Sequence, residues 1–190
     1  MRVISGTARG RKLLEPSGAA IRPTSDMVKE AFFNIIQFEI EGRRVLDLFA
    51  GTGQLGIEAL SRGAASVVFV DDSAAAVQLV RANLSLCGME GSVVLRDAMR
   101  YIERCEEFDL IFIDPPYDSK LCERALQKIY EFDILANGGI IVCEVSSEKV
   151  MPELDSPYYK RREYRYGKKK LVIYSKGGME LENSDYSGEL

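Results

Sequence analysis

The sequence predicts a doubly wound α/β fold with a mostly parallel sheet. Short apolar runs that suit buried strands alternate with segments in which apolar residues recur at helical spacing. Glycines and prolines stand between these segments, where turns are needed. Strands that are apolar along their length and alternate with helices are typical of a parallel sheet covered on both faces.

The N-terminal part is expected to form a hairpin and one helix. Residues 2–5 and 11–14 flank a glycine-containing turn, which predicts a short hairpin with basic exposed positions. Apolar residues from Met27 to Ile36 recur at helical spacing, which predicts an amphipathic helix that opens near Asp26 and ends before Gly42.

Strand, turn and helix then alternate along the chain. The predicted strands are residues 45–50, 66–70, 92–95, 108–113 and 140–145. The predicted helices are residues 54–62, 73–86, 98–105 and the segment carrying Leu121, Ala125, Ile129 and Phe132. Residues 158–166 and 168–174 read as two strands around Gly167, so an antiparallel hairpin is expected to close the sheet.

The length and composition suit one domain. A chain of 190 residues can bury one sizeable core, and we place this domain at residues 1–176, with a basic extension at 1–24. The acidic, non-periodic residues 177–190 are expected to be a disordered tail. No apolar run approaches the roughly 20 residues of a membrane helix, and the first residues lack a secretory pattern. We expect a cytoplasmic monomer without membrane contact.

The residue counts exclude several kinds of catalytic site. The chain has no histidine, which excludes Ser-His-Asp and Cys-His nucleophiles and histidine-ligated metals. Its four cysteines form no C-x-x-C pair, so we expect reduced, buried thiols and no metal site. The chemistry must therefore use carboxylates, hydroxyls, amides or a cofactor.

A glycine loop indicates a nucleotide-type cofactor. Residues 51–56 fit G-x-G-x-x-G, with Gly51 and Gly53 in the predicted turn between a strand and a helix. Asp71 and Asp72 follow at the end of the next strand, where a carboxylate can bind ribose hydroxyls. Both a dinucleotide and S-adenosylmethionine fit this pattern.

Further carboxylates favour S-adenosylmethionine. Asp47 precedes the glycine loop, where it would repel a pyrophosphate but attract an ammonium or sulfonium group. Phe49, near the end of the predicted strand 45–50, is a further candidate cofactor-binding residue. Asp97 is placed to bind an adenine amino group, with Ala98 adding backbone contacts. Because the carboxyl ends of parallel strands meet at one edge, these residues are expected to form one cofactor site.

The segment Asp114-Pro115-Pro116-Tyr117 indicates a site for an exocyclic amine. The prolines make a strand-ending turn rigid and leave its carbonyls free to accept hydrogen bonds. The Asp114 carboxylate and the Pro115 carbonyl can hold both amino N–H groups and stabilise the positive charge that develops on the nitrogen. Tyr117 can stack on a flipped base.

The net charge of −4 conceals two basic ends. Residues 1–24 carry five Lys or Arg against one Glu, and residues 158–177 carry eight against one Glu, whereas the centre is acidic. Basic ends suit a polyanion, although two solvated basic faces would look the same in the sequence.

Residues 1–176 resemble the RsmD-type 16S rRNA guanine-N2 methyltransferase family. The resemblance lies in residues 45–53 and 56–63, in Arg22-Pro23-Thr24-Ser25-Asp26 and the residues after it, in the basic hairpin, and in Tyr166, Gly167, Leu171 and Tyr174. It implies a class I methyltransferase fold, S-adenosylmethionine as donor and the N2 amino group of a guanine in small-subunit rRNA as acceptor.

The resemblance also implies roles for individual residues. Asp47, Gly51 and Gly53 would hold the methionine part, Asp71 or Asp72 the ribose, and Asp97 the adenine, while Asp114 to Tyr117 would hold the base. The partner would be rRNA or the small ribosomal subunit. The residues implied in RNA contact are Arg9, Arg11, Lys12, Arg22, Thr24, Arg161, Arg162 and Arg165, with Arg22 and Thr24 nearest the base.

Alternatives remain open from the residues alone. An adenine-N6 methyltransferase acting on DNA or RNA would use the same amine site. A protein-glutamine methyltransferase is chemically alike, but it would leave the basic ends unused. A nicotinamide-dependent oxidoreductase would use the glycine loop and leave Asp114-Pro115-Pro116-Tyr117 unexplained. A non-catalytic RNA-binding module could retain the fold.

Overall fold

A seven-stranded sheet organises the chain, whose computed structural model describes residues 1–16, 26–116 and 119–177. The helices are α1 Asp26–Ile35, α2 Gln54–Ser61, α3 Ala74–Cys87, α4 Ala98–Ile102 and α5 Ser119–Phe132. The strands are β1 Arg44–Asp47, β2 Ser66–Asp71, β3 Ser92–Leu95, β4 Phe108–Ile113, β5 Leu135–Ser146, β6 Tyr158–Tyr166 and β7 Lys169–Lys176. None of these helices is long and apolar enough to cross a membrane.

The strand order is β3-β2-β1-β4-β5-β7-β6. Strands β1 to β5 pair in parallel, and β7 lies antiparallel between β5 and β6. The chain reverses its direction of travel across the sheet at β1, which pairs with both β2 and β4. Ligands bind at such switch points in doubly wound sheets. The predicted α/β class and the closing antiparallel hairpin are confirmed.

Two apolar clusters cover the two faces of the sheet. On one face, side chains of α1, α2 and α3 pack with those of the N-terminal hairpin, among them Phe33, Ile57, Val80 and Val3. On the other face, side chains of α4 and α5 pack against the sheet, for example Ile102 of α4 and Ile129 of α5. Both faces are therefore covered, which explains why the strands are apolar along most of their length.

Local signals begin and end α3 where the sequence predicts, whereas α4 ends at Ile102 rather than at residue 105 and β1 ends at Asp47 rather than at residue 50. The Ser73 side chain accepts the Ala76 N–H at the start of α3, and Gly88 ends this helix in the left-handed conformation at φ 64°. Strand β5 is longer than the predicted strand 140–145, since it begins at Leu135 and includes Gly138 and Gly139. A register shift against β4 between Phe108 and Leu110 accommodates these extra residues.

The N-terminal hairpin is held by helix α2. Its own ladder is a single antiparallel bridge between Arg2 and Lys12. The N–H groups of Ile4 and Ser5 donate to the two carboxylate oxygens of Glu58 at 2.8 and 2.9 Å. Gly6, at φ 79°, lies against Ser61, and a Cβ at Gly6 would stand 1.6 Å from the Ser61 carbonyl oxygen. The basic hairpin is therefore fixed to the body by buried polar contacts.

Candidate active site

Carboxylates line the carboxyl edge of the sheet. Asp47 ends β1, Asp71 ends β2, Asp114 directly follows β4, and Glu144 lies near the end of β5. Because side chains alternate along a strand, Asp47, Asp71 and Glu144 point to the face of the sheet that packs against the α1–α3 cluster. The structure thus brings together three carboxylates that the sequence predicts and one, Glu144, that it did not.

Asp47 is a buried carboxylate beside the glycine loop. It is 3% exposed, and its Oδ2 accepts the Gly56 N–H at 3.0 Å. Burial, together with the nearby Asp71 charge, raises the pKa of Asp47 to about 7. None of the described residues forms an ion pair with Asp47, so this edge of the site suits a cationic group from a ligand.

The glycine loop is bonded to Asp71. The Gly51 N–H donates to Asp71 Oδ2 at 2.8 Å, and the Ser73 N–H donates to Oδ1 at 2.9 Å. Gly51 has φ 53°, and a Cβ there would meet no atom within 4 Å, so the loop opens onto free space. Asp72 is exposed. Of the two adjacent aspartates, Asp71 is the one that faces the loop.

Gln54 adds an unpaired polar atom to this loop. Its buried Oε1 accepts no hydrogen bond from the part of the chain that the structure describes. Gln54 is the first residue of α2, and nothing in the sequence pattern singled it out. A buried, unpaired carboxylate, an open glycine and an orphan amide oxygen together fit the amino-acid part of S-adenosylmethionine.

The remaining predicted cofactor residues lie at the same edge or close to it. Asp97 caps α4, because its Oδ1 accepts the Arg100 N–H at 3.0 Å. Ala98, the first residue of α4, is buried, and Phe49 is partly buried against the α4–α5 cluster. Asp97 therefore has a structural role as a helix cap, and its contact with adenine stays a prediction.

Asp114 shares its surroundings with a charge pair. Lys169, at the start of β7, forms an ion pair with Glu144, which is 8% exposed. Burial chiefly, and the Glu144 and Asp47 charges, raise the pKa of Asp114 to about 8, while the Lys169 charge opposes the shift. Pro115 follows on a partly exposed turn. Tyr117 lies outside the described residues.

The predicted RNA-contact residues differ in their surroundings. Arg9, Arg11 and Lys12 are exposed on the docked hairpin, whereas Arg22 and Thr24 lie outside the described residues. Arg161 donates to Glu39 at 3.1 Å. Arg162 lies 5.8 Å from the centre of the Tyr164 ring, and Arg162 and Arg165 are exposed.

A family comparison covers nearly all of the chain. The model of the family described as Conserved hypothetical protein 95 matches residues 1–175. The chain belongs to this family, the RsmD-type methyltransferases. The resemblance carried by the glycine loop, the basic hairpin and the closing strands is thereby confirmed.

Relatives and a solved structure agree over the same length. Bacillus subtilis YlbH, named provisionally as an rRNA methyltransferase, is 41% identical over 184 residues, which is 94% of this chain and 100% of that protein. Escherichia coli "Ribosomal RNA small subunit methyltransferase D" is 32% identical, covering 97% of this chain and 94% of its own. The solved structure of the Escherichia coli protein yhhF, titled as a methyltransferase, superposes with a TM-score of 0.84 and 31% sequence identity. The match covers 93% of this chain and 98% of yhhF.

Proposed function

We propose that this methyltransferase transfers a methyl group from S-adenosylmethionine to the N2 amino group of a guanine in small-subunit rRNA. The observation that carries the proposal is the placement of Asp114 and Pro115 at the sheet edge that also holds Asp47 and the glycine loop. The name of the Escherichia coli relative supports small-subunit rRNA as the substrate. The guanine N2 atom follows from the family resemblance.

The cofactor would lie along the carboxyl edge of β1, β2 and β3. Asp47 and the loop at Gly51 and Gly53 would hold the methionine part, with Phe49 beside it, while Asp71 would hold the ribose. Asp97 and Ala98 would contact the adenine. S-Adenosylmethionine, when bound, supplies a methyl group made electrophilic by the sulfonium.

The acceptor amine needs activation, because its lone pair is delocalised into the base. Asp114 and the Pro115 carbonyl would accept its two N–H groups and localise the lone pair on the nitrogen. The same oxygens would stabilise the positive charge that the nitrogen gains. The nitrogen becomes acidic as it is alkylated, so one proton leaves without a strong general base. Tyr117 would stack on the base.

The remaining surface supports an RNA partner. The exposed basic residues of the hairpin would contact RNA phosphates, as would Arg162 and Arg165 of β6. These contacts would fix the RNA relative to the site. We infer a single catalytic domain over residues 1–176 that acts as a cytoplasmic monomer.

Methyl transfer to small ribosomal subunits that lack the modification tests the proposal. We expect label in N2-methylguanosine after nucleoside analysis, and its loss in Asp114→Ala. Asp155→Ala, which removes an exposed aspartate, is the matched control and should retain activity. Label in N6-methyladenosine would overturn the acceptor. Absence of label in subunits, naked rRNA and DNA, despite cofactor binding, would favour a binding role.

A further inference from the structure

Three polar side chains stand next to one another across the proposed base-binding edge. Asp114 follows β4, Glu144 lies on β5 and Lys169 opens β7, and these three strands are neighbours in the sheet. The register places Asp114 level with Glu144, since Ile113 pairs with Cys143, whereas Lys169 pairs with Ser146, two residues beyond Glu144 on the same face of β5. An ion pair joins Glu144, the middle group, to Lys169.

The three groups form an ordered pattern of hydrogen-bonding character. From β7 to β4 they are a donor, the Lys169 ammonium, then an acceptor, the Glu144 carboxylate, then a second acceptor, the Asp114 carboxylate. The Watson–Crick edge of guanine has the complementary order, with O6 as acceptor, N1–H as donor and the N2 amino group as donor. A guanine whose N2 meets Asp114 would therefore bring N1–H to Glu144 and O6 to Lys169.

Adenine does not fit this pattern. With its N6 amino group at Asp114, its N1 acceptor would face the Glu144 carboxylate, and a C–H would face Lys169. Two acceptors would then oppose each other, and the ammonium would gain no partner on the base. A site that leaves buried polar groups unsatisfied rejects the wrong substrate strongly.

We propose that Glu144 and Lys169 select guanine over adenine by reading N1–H and O6 of the base. This inference rests on the proposed function, because it takes Asp114 as the site of the reacting amine. Asp114 and Glu144 are level on neighbouring strands and Lys169 is ion-paired with Glu144, so the three groups are close enough to act on one small ligand. Glu144 is 8% exposed, so the Glu144 carboxylate lies in a site of low dielectric, where an unmatched base atom is costly.

Glu144→Gln tests the reading of N1–H, since a glutamine amide can donate to a base acceptor. We would measure the affinities of guanosine and of 2-aminopurine riboside by fluorescence titration and competition, in the presence of S-adenosylhomocysteine. 2-Aminopurine keeps the amino group but has an N1 acceptor and no O6. We expect the wild-type protein to favour guanosine and Glu144→Gln to lower that preference on the order of 10- to 100-fold.

Lys169→Met provides a second variant, because the Lys169 side chain is 44% exposed and its removal leaves the core intact. It should lower kcat/KM for guanine in subunits while S-adenosylmethionine binding changes less than twofold. Glu148→Gln, a change at an exposed glutamate shortly after β5, should leave the base preference unaltered.

The outcomes separate this inference from the proposed function. If the wild-type protein methylates no guanine, the proposed function fails. If it forms N2-methylguanosine but Glu144→Gln and Lys169→Met keep the base preference and kcat/KM within twofold, the selection role fails alone. An equal loss of affinity for both nucleosides would show a structural role and would also overturn it.

Discussion

The side-chain amide of Asn83 on α3 pairs with both backbone polar atoms of Leu14. Leu14 N–H donates to Asn83 Oδ1 at 2.7 Å, and Asn83 Nδ2 donates to the Leu14 carbonyl at 3.2 Å. Asn83 Nδ2 also donates to the Thr52 carbonyl in the glycine loop at 2.9 Å. One buried side chain thus links the end of the basic hairpin to the loop that would hold the cofactor.

Replacing Asn83 should disturb both regions at once. Asn83→Leu leaves the Leu14 N–H and two carbonyls without their partner, so we expect a loss of about 2–4 kcal/mol in the free energy of unfolding. S-Adenosylmethionine affinity should fall as well, because the Thr52 carbonyl loses its donor. Urea unfolding and calorimetry measure these effects, with exposed Gln78→Ala on α3 as control. Unchanged cofactor affinity would refute the link to the loop.

Glu58 should be the main anchor of the hairpin. Its fully buried carboxylate accepts hydrogen bonds from the backbone N–H groups of Ile4 and Ser5. The same carboxylate forms ion pairs with Lys29 at 3.4 Å and Arg62 at 2.9 Å. Glu58→Gln removes the buried carboxylate from its ion pairs with Lys29 and Arg62, and we expect a loss of about 3–5 kcal/mol in the free energy of unfolding.

Hydrogen exchange of the Ile4 and Ser5 amides reports on this anchor directly, and both should exchange faster in Glu58→Gln. Exposed Glu90→Gln controls for the loss of a carboxylate elsewhere. Retained protection of these two amides would contradict the anchoring role.

Asp47 should make stability depend on pH. Its pKa is about 7 in the folded protein, against 3.8 for an ordinary aspartate. Between pH 3.8 and about pH 7, the folded state therefore holds a proton on Asp47 that the unfolded state has lost. The contribution of Asp47 therefore lowers stability as pH rises from about 4 to about 7, by about 2–4 kcal/mol. Asp47→Asn should be stabilised relative to the wild type at pH 8 more than at pH 5 in urea unfolding. An equal effect at both values would show that the Asp47 pKa is ordinary.

Methyl transfer should depend on the charge of Asp114. Only the ionised Asp114 carboxylate stabilises the positive charge that the amino nitrogen gains, and the pKa of Asp114 is about 8, so kcat/KM should fall below about pH 8. The charged groups that act on Asp114 are Glu144 on β5, Lys169 on β7 and Asp47 on β1. Glu144→Gln should lower the midpoint of the pH profile, and Lys169→Met should raise it. Shifts in the opposite directions would exclude Asp114 as the titrating group.

The basic residues should contribute unequally to RNA binding. Arg9 is exposed on the hairpin, whereas Arg161 already donates to Glu39. Arg9→Ala should reduce the slope of log Kd against log salt by about 0.7–0.9, and Arg161→Ala should reduce it less. Binding to rRNA fragments at several salt concentrations measures both slopes. Equal slopes for wild type and Arg9→Ala would remove the hairpin from the interface.

Elements with local causes could be predicted from the sequence. Strand β4 is apolar except for Asp109, α3 begins at a capping serine and ends at a left-handed glycine, and the glycine loop needs positive φ at Gly51 and Gly53. These signals depend on near neighbours in the chain, so each is visible in a short window of sequence. The sequence also predicted that Asp47 and Asp71 lie at the same edge of the sheet, because the carboxyl ends of parallel strands meet at one edge.

The partners of the site residues came from the tertiary structure alone. Glu144 meets Lys169 because β5 and β7 pair antiparallel in a particular register, and Glu58 meets the hairpin because α2 lies beneath it. Gln54 was likewise visible only as an unpaired atom in the folded loop. The fold class was predictable from the sequence, which also indicated the glycine loop and the Asp114-Pro115 turn as candidate site elements, since all of these depend on local backbone preferences. Only the folded sheet decided which charges adjoin Asp114, because register between distant strands is set by packing across the whole core.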